Sequence, residues 1–307
     1  MISTSDLCAL LPQFLARQRW SGARDRNIET VSVVGLDTLR GGWPAFVQAV
    51  VEVILSGGET ARYHVLIGLR PQGQPCEFLH GSEHAVIGDV SSEQGPGFAY
   101  DALLDPDLGL CLLELVAPSE AADRVRHVGA EQSNTSLVYD DRLILKVFRR
   151  LAEGPNPEVE VSEALSSVGF VGIPEPVAYW RRGPYDLALC QRFLSGGSEG
   201  WSLALSSLRD VYAAGCEPSQ AGGDFAAEAE RLGRTTAELH VAMARAFGAS
   251  PGDDASWARD ISRRITGVLS GSSADAALSI LERLPKVSDP GPSLRVHGDY
   301  HLGQVMR

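Results

Sequence analysis

The spacing of apolar residues divides the chain into a β-rich first part and a helical last part. Residues 5–20 carry apolar side chains three and four positions apart, which is typical of one helix face. Two runs rich in Val, Ile and Tyr, at 46–55 and 61–69, flank a Gly-Gly turn and predict a β-hairpin. Between residues 71 and 96, Gly and Pro interrupt the pattern, so strands there should be short.

A second group of elements follows near Phe98. The runs 137–139 and 143–148 surround an Asp-Asp pair and predict another hairpin. A helix should begin at Pro157, because proline suits a first helical turn and an apolar stripe follows it. Residues 173–193 read as two strands around a Gly-Pro turn.

The remainder of the chain is predicted to be helical. Helical periodicity extends over 225–246 and again over 257–284, and a short strand is expected at 294–296. These changes of pattern predict an α+β fold class. They also predict three segments, which comprise residues 1–97, 98–194 and 195–307.

Composition and charge exclude several classes of protein. The 307 residues are 44% hydrophobic, which is ample for a buried core, and the net charge is −12. An acidic chain lacks the clustered Lys and Arg of nucleic-acid binding. The sequence shows no signal-peptide pattern and no apolar run of membrane-spanning length, and its five cysteines lack metal-ligand spacing. We therefore expect a cytoplasmic protein with reduced thiols and no membrane or nucleic-acid partner.

The strongest chemical motif lies at residues 296–305, VHGDYHLGQV. Asp299 and Gln304 have the separation of the Asp and Asn in the HRDxxxxN loop of protein kinases. There the carboxylate accepts the proton of the attacking hydroxyl and the amide helps to hold Mg²⁺. Asp299 is thus the candidate catalytic base and Gln304 a metal ligand, with His297 and His301 as supports of the loop. The alternative is a turn-forming Gly-Asp pair beside a buried His in an ordinary α/β domain.

A second motif surrounds Lys146, which lies within the apolar run ILKVF. A buried ammonium requires an anionic partner, and kinase chemistry supplies both the α/β phosphates of ATP and a helix glutamate. The preceding residues Ser133, Asn134, Thr135 and Ser136 are suited to cover those phosphates with N–H groups and hydroxyls. The alternative is an edge strand whose lysine reaches solvent. Of the helix carboxylates, Glu160 and Glu163 lie closer to the apolar stripe than Glu158.

Four stretches in order resemble the maltokinase branch of the aminoglycoside-phosphotransferase-like kinases: QRWSGARDR, EQSNTSLVYDDRLILKVFRR, AGGDFAAEAERLG with ELH, and RVHGDYHLGQV. This resemblance implies a bilobal protein-kinase-like fold. The three segments become an N-terminal cap subdomain, an ATP-binding N-lobe and a helical C-lobe. The resemblance also implies that Glu160 is the partner of Lys146. By kinase lobe order, the backbone around Gln191 and Phe193 would contact adenine.

The resemblance also implies an activity. Maltokinases use ATP and Mg²⁺ to convert maltose to maltose 1-phosphate, which feeds α-glucan and glycogen synthesis. A trehalose synthase-type, maltose-forming enzyme is a possible partner.

The sequence departs from the family pattern at its end. Family members continue beyond the catalytic loop into an Asp-Phe-Glu segment, whose Asp binds Mg²⁺, and into further helices that complete the sugar pocket. The printed chain ends at Arg307, so we expect a truncated or incompletely represented kinase with little activity of its own. Two other functions stay open: an amino-sugar or aminoglycoside kinase, and a non-catalytic, kinase-like docking subunit.

Overall fold

The computed structural model describes residues 2–22, 26–92, 95–128, 134–220, 225–284 and 291–307. They form two compact units. The first unit comprises residues 1–163 and 173–196, and the second comprises residues 164–172 and 197–307.

The first unit begins with a helix packed on an antiparallel sheet. Helix α1 (Thr4–Arg17) starts at Ser3, whose hydroxyl accepts a hydrogen bond from the Asp6 N–H. The sheet has the strand order β1-β2-β3-β5-β4, and β9 also pairs with β3. Its strands are β1 (Ile28–Arg40), β2 (Ala45–Leu55), β3 (Thr60–Pro71), β4 (Val86–Ser92), β5 (Gly95–Asp101) and β9 (Arg150–Leu151).

The predicted hairpin of β2 and β3 is confirmed, whereas β1 was not predicted. Three register shifts along β1 interrupt its alternation of apolar and polar residues, so period-2 analysis does not detect it. The predicted boundary at 97/98 falls inside β5, which pairs with both β3 and β4. Residues on both sides of that boundary therefore belong to one sheet.

A second, five-stranded antiparallel sheet completes the first unit, with the order β10-β11-β8-β7-β6. The hairpin predicted around the Asp-Asp pair is present. Asp140 and Asp141 at its turn both have positive φ, a conformation that Asp adopts more readily than most residues. The strands are β6 (Val125–Val128), β7 (Asn134–Tyr139), β8 (Leu143–Phe148), β10 (Pro176–Arg182) and β11 (Tyr185–Arg192).

An apolar core joins the two sheets of the first unit. It contains Phe46 and Leu66 from the first sheet and Leu145 and Val147 from the second. Helix α2 (Pro106–Val116), which was not predicted, contributes one apolar face to this core. Its signals were a proline in the first turn and Asp105 as N-cap.

Helix α3 (Pro157–Ser167) packs on the five-stranded sheet through Val159. That side chain is fully buried and lies in a small cluster with Phe148 and Leu189. The helix is present where the sequence predicts it. Of the predicted stripe, Leu165 is buried and Val161 is half-buried, whereas the fully buried Val159 lies outside that stripe.

The second unit is largely helical, as predicted. Phe247 ends the long helix at the predicted place, and His240, a candidate for packing against that helix's apolar stripe, is exposed. The helices are α4 (Gly200–Ala214), α5 (Ala226–Phe247), α6 (Asp254–Val268) and α7 (Ser272–Leu281). Strand β12 (Ala249–Pro251) pairs with β13 (Pro292–Leu294). Among the described helices, none combines the length and apolar composition that crossing a membrane requires.

Candidate active site

Lys146 lies in the middle of β8, opposite Ser136 on β7 and Leu189 on β11. Alternation along the strand turns its neighbours Leu145 and Val147 into the core, whereas the lysine points to the opposite face. Its ammonium forms an ion pair with Glu158 of α3. The side chains of Lys146 and Glu158 are 21% and 33% exposed, so this pair is only partly screened by solvent.

The partner of Lys146 is therefore Glu158, and the prediction of Glu160 is corrected. Successive helix residues are about 100° apart, so Glu158 and Glu160 flank the buried Val159 on opposite sides. Periodicity cannot choose between the two flanks, because the choice depends on how the helix lies on the sheet. The other predicted candidate, Glu163, pairs with Arg181 at 2.5 Å.

Local hydrogen bonds fix the start of α3 where Glu158 lies. The Glu158 N–H donates to the Asn156 side-chain oxygen at 2.9 Å. The Asn156 N–H in turn donates to Asp186 at 2.7 Å. The first turn of the helix is thus tied to β11, which lies beside the strand that carries Lys146.

The predicted phosphate-covering residues that the structure describes all lie in β7 and not in a loop. Ser133 lies outside the described residues. Asn134 begins β7 and is half-buried, but Thr135 and Ser136 are buried inside that strand. The Thr135 hydroxyl accepts a hydrogen bond from Arg149 at 2.9 Å. The prediction that Thr135 and Ser136 cover phosphates from a loop is therefore wrong, because pairing with β8 draws both into the sheet.

The predicted adenine-contact residues lie at the end of β11. Gln191 is buried within the strand, opposite Ile144. The Phe193 N–H donates to the Arg142 carbonyl oxygen at 2.8 Å, and the Phe193 carbonyl oxygen accepts from the Ser195 N–H at 3.0 Å. The Phe193 N–H is thus already used, whereas the Phe193 carbonyl oxygen can accept a second hydrogen bond.

The catalytic-loop motif lies in the second unit, where Asp299 and Gln304 are exposed. The His297 ring accepts a hydrogen bond from the Asp299 N–H at 3.3 Å. The His301 ring accepts from the Gly303 N–H at 3.0 Å and lies 3.5 Å from the Gln304 amide nitrogen. Both histidine rings contact the backbone of the loop, and their supporting role stays a prediction.

A contact that the sequence did not indicate fixes the end of this loop. The Gly200 N–H, at the start of α4, donates to the Val305 carbonyl oxygen at 2.9 Å. Ser198 and Arg307 exchange two backbone hydrogen bonds, at 2.8 and 2.9 Å. The turn that carries Gln304 is consequently attached to the beginning of α4 on both sides of Glu199.

The side chains that the structure describes limit how the expected Mg²⁺ could be bound. No cluster of three or more His, Cys, Asp or Glu side chains suited to hold a metal ion occurs within the described ranges. Mg²⁺ is usually bound through one or two carboxylates together with substrate phosphates and water. Exposed oxygen donors such as Asp299 and Gln304 fit that mode of binding, whereas a site built entirely from protein ligands is not present in this part of the chain.

Two family models match the chain. The maltokinase N-terminal cap domain matches residues 14–105, and the phosphotransferase enzyme family matches residues 124–307. A glucosamine kinase of Mycolicibacterium smegmatis is 26% identical over 205 residues, which is 62% of this chain and 50% of the relative. A glucosamine kinase of Streptacidiphilus jiangxiensis is 26% identical over 201 residues, which is 59% of this chain and 45% of the relative. The chain thus spans about half the length of these curated relatives.

Solved structures show the same fold. A glucosamine kinase in complex with glucosamine, ADP and inorganic phosphate aligns with a TM-score of 0.59 at 20% identity, over 100% of this chain and 70% of its own. Another crystal form of a glucosamine kinase aligns with a TM-score of 0.58 at 21% identity, with the same coverage. The α+β, kinase-like fold is therefore confirmed. Because the model of the phosphotransferase enzyme family matches more than half of the residues, the chain belongs to this family.

Proposed function

We propose that the protein is an ATP-dependent kinase that transfers a phosphoryl group to a hydroxyl of a small sugar. The observation that carries this proposal is the ion pair of Lys146 and Glu158. In kinases such a pair holds the lysine that contacts the α/β phosphates of ATP. A chain without this chemistry has no physical need for a half-buried ammonium on an otherwise apolar strand. This argues against the non-catalytic docking subunit.

The proposed roles follow from side-chain chemistry. Asp299 would accept the proton of the attacking sugar hydroxyl, and the His297 ring holds the backbone at that residue. Gln304 would contribute an oxygen to Mg²⁺, and a bound Mg²⁺ neutralises negative charge on the phosphates. Asn134 lies at the open end of the hairpin and remains a candidate phosphate contact.

Two sugar substrates are proposed, each on a specific observation. The curated relatives are glucosamine kinases, which favours an amino sugar. The cap-domain match and the maltokinase-like motifs favour maltose. The amino-sugar reading requires the pocket to present acidic side chains to a cationic substrate, whereas the maltose reading does not.

The test is ATP consumption by the natural protein with Mg²⁺ and a panel of maltose, glucose, glucosamine and kanamycin. We expect turnover with glucosamine or maltose that is lost in Asp299→Asn, because the amide cannot accept the hydroxyl proton. Turnover with kanamycin alone would indicate an aminoglycoside kinase. Tight ATP binding without turnover on any sugar would contradict the proposal and support the docking subunit.

A further inference from the structure

Arg149 is the largest side chain that the described residues bury completely, with 1% of its side chain exposed. It follows directly after β8, three positions beyond Lys146. The Nη1 of Arg149 lacks a hydrogen-bond partner within the described residues. A buried guanidinium is costly unless its charge is paired. Its partners therefore indicate what this part of the fold has to hold in place.

The partners of Arg149 come from both sheets. Its Nη2 donates to the Asp101 carboxylate at 2.5 Å, at the end of β5. Its Nε donates to the Thr135 hydroxyl at 2.9 Å, in β7. Its guanidinium carbon lies 5.0 Å from the centre of the Trp20 ring, at the distance of a cation–π contact. One side chain thus connects the region 14–105, matched by the cap-domain model, to the hairpin that carries Lys146.

The backbone at Arg149 makes the same connection. Its carbonyl oxygen accepts a hydrogen bond from the His64 N–H of β3 at 2.8 Å. The next two residues form β9, which pairs with β3. The chain therefore passes from the strand of Lys146 directly into the first sheet, and the Arg149 side chain reaches back to β7.

The register of the hairpin relates these contacts to Lys146. Thr135 lies opposite Val147, and Ser136 lies opposite Lys146. Arg149 therefore holds the residue next to the cross-strand partner of Lys146. A shift of Thr135 would move the two strands relative to each other and displace the ammonium.

We propose that Arg149 is a positioning residue through which the cap region holds the Lys146 hairpin in its nucleotide-binding geometry. The inference rests on the proposed function, since it assigns phosphate contact to Lys146. It gives the cap region a role in nucleotide affinity, although Trp20, in the turn after α1, and Asp101, in β5, both lie outside the hairpin. A merely structural network would support stability without affecting nucleotide binding.

The experiment compares variants of the natural protein by calorimetric binding of Mg-ADP and by steady-state kinetics. Thr135→Val keeps the shape of the side chain and removes the acceptor, and Asp101→Asn removes the charge partner from the cap side. We expect each to raise the Kd for ADP and the KM for ATP about tenfold, the effect of losing one hydrogen bond to a charged group. The KM for the sugar should stay unchanged. Thr135→Ser, which keeps the hydroxyl, should restore nucleotide affinity.

Leu7→Ala is the matched control, because Leu7 is fully buried under the first sheet and is not a partner of Arg149. It should lower the unfolding temperature and leave the Kd for ADP unchanged. The inference is overturned if Thr135→Val and Asp101→Asn behave like Leu7→Ala. A wild-type protein that binds ADP but phosphorylates no sugar would contradict the proposed function alone, and the Kd comparison would still decide the inference. Failure of the wild type to bind any nucleotide would overturn both.

Discussion

At the scale of single residues, Lys146 pairs with one of two neighbouring glutamates on the same helix. Glu158 contacts the ammonium, and Glu160 lies on the other flank of the buried Val159. The pair is partly exposed, so its contribution to stability should be modest. Its effect on the position of the lysine should be larger, because the carboxylate contacts the ammonium directly.

We predict that Glu158→Gln weakens nucleotide binding more than Glu160→Gln does. Loss of the charged partner at Lys146 should raise the Kd for ADP about tenfold, as expected for one charge-assisted hydrogen bond. Calorimetric titration of both variants with Mg-ADP measures the difference. Equal weakening by the two substitutions would contradict the assignment of Glu158.

His64 is a second residue whose environment has a measurable consequence. Burial, together with the nearby positive charge of Arg149, lowers its pKa from 6.5 to about 3. The folded protein therefore keeps a neutral imidazole at pH values where the unfolded chain binds a proton. The resulting stability is fully present above pH 6.5 and is lost as the pH falls from 6.5 towards 3.

We predict that the midpoint of urea unfolding decreases steadily between pH 6.5 and pH 4, a range that lies within the window between the unfolded and folded pKa values. The dependence of this midpoint on pH should be weaker in His64→Gln, because glutamine does not titrate. His240→Gln is the matched control, since it makes the same substitution at an exposed position. An unchanged slope in His64→Gln would contradict the assignment.

At the scale of elements, the start of α4 and the catalytic-loop turn are fitted closely together. A Cβ at Gly200 would lie 2.7 Å from both the Leu302 carbonyl oxygen and a Val305 methyl group. Backbone cannot yield as a flexible side chain can, so any larger residue at position 200 must displace the turn that carries Gln304.

We predict that Gly200→Ala lowers kcat and costs about 1–3 kcal/mol of stability, the range for an overpacked site. Gly233→Ala is the matched control, because open space surrounds Gly233 inside α5. That control should be neutral or stabilising by about 0.5–1 kcal/mol, since alanine favours a helix interior. Kinetics and chemical unfolding of both variants test the difference, and full activity in Gly200→Ala would show that the turn tolerates displacement.

At the scale of the whole molecule, buried apolar residues are distributed unevenly between the two units. Most described apolar side chains that are fully buried belong to the sheets and helices of the first unit. The buried apolar residues described in the second unit are Leu165, Ala242, Met243 and Ala274, while α4 exposes a stripe at helical spacing. That stripe consists of Trp201, Leu205, Leu208 and Tyr212.

We predict that amide hydrogens of the 307-residue chain exchange faster in α6 and α7 than in β2, β3 and β8. Local opening is less costly where few apolar contacts are lost. Hydrogen–deuterium exchange followed by mass spectrometry of peptides measures this difference. Uniform protection across the two units would contradict it.

Much of the secondary structure could be predicted from the sequence because it depends on local properties. Alternation located the strands of both hairpins, and the Asp140–Asp141 pair marked a turn that requires positive φ. Helical periodicity located α5 to within a residue. Strand β1 and helices α2 and α4 were missed, because register shifts interrupt β1 and Gly and Ser residues interrupt the pattern before α4.

By itself, the sequence determined which residues are candidates for chemistry: a lysine on an apolar strand and an Asp-containing loop with an amide five positions on. Residue type and spacing suffice for this, since both are properties of neighbouring positions. Only the tertiary structure decided three contacts. Glu158 is the carboxylate that pairs with Lys146, and the Thr135 hydroxyl accepts a hydrogen bond from Arg149. The start of α4 forms hydrogen bonds with the loop that contains Gln304. Each of these contacts joins residues that are not neighbours in the sequence, so each depends on how helices and strands pack against one another.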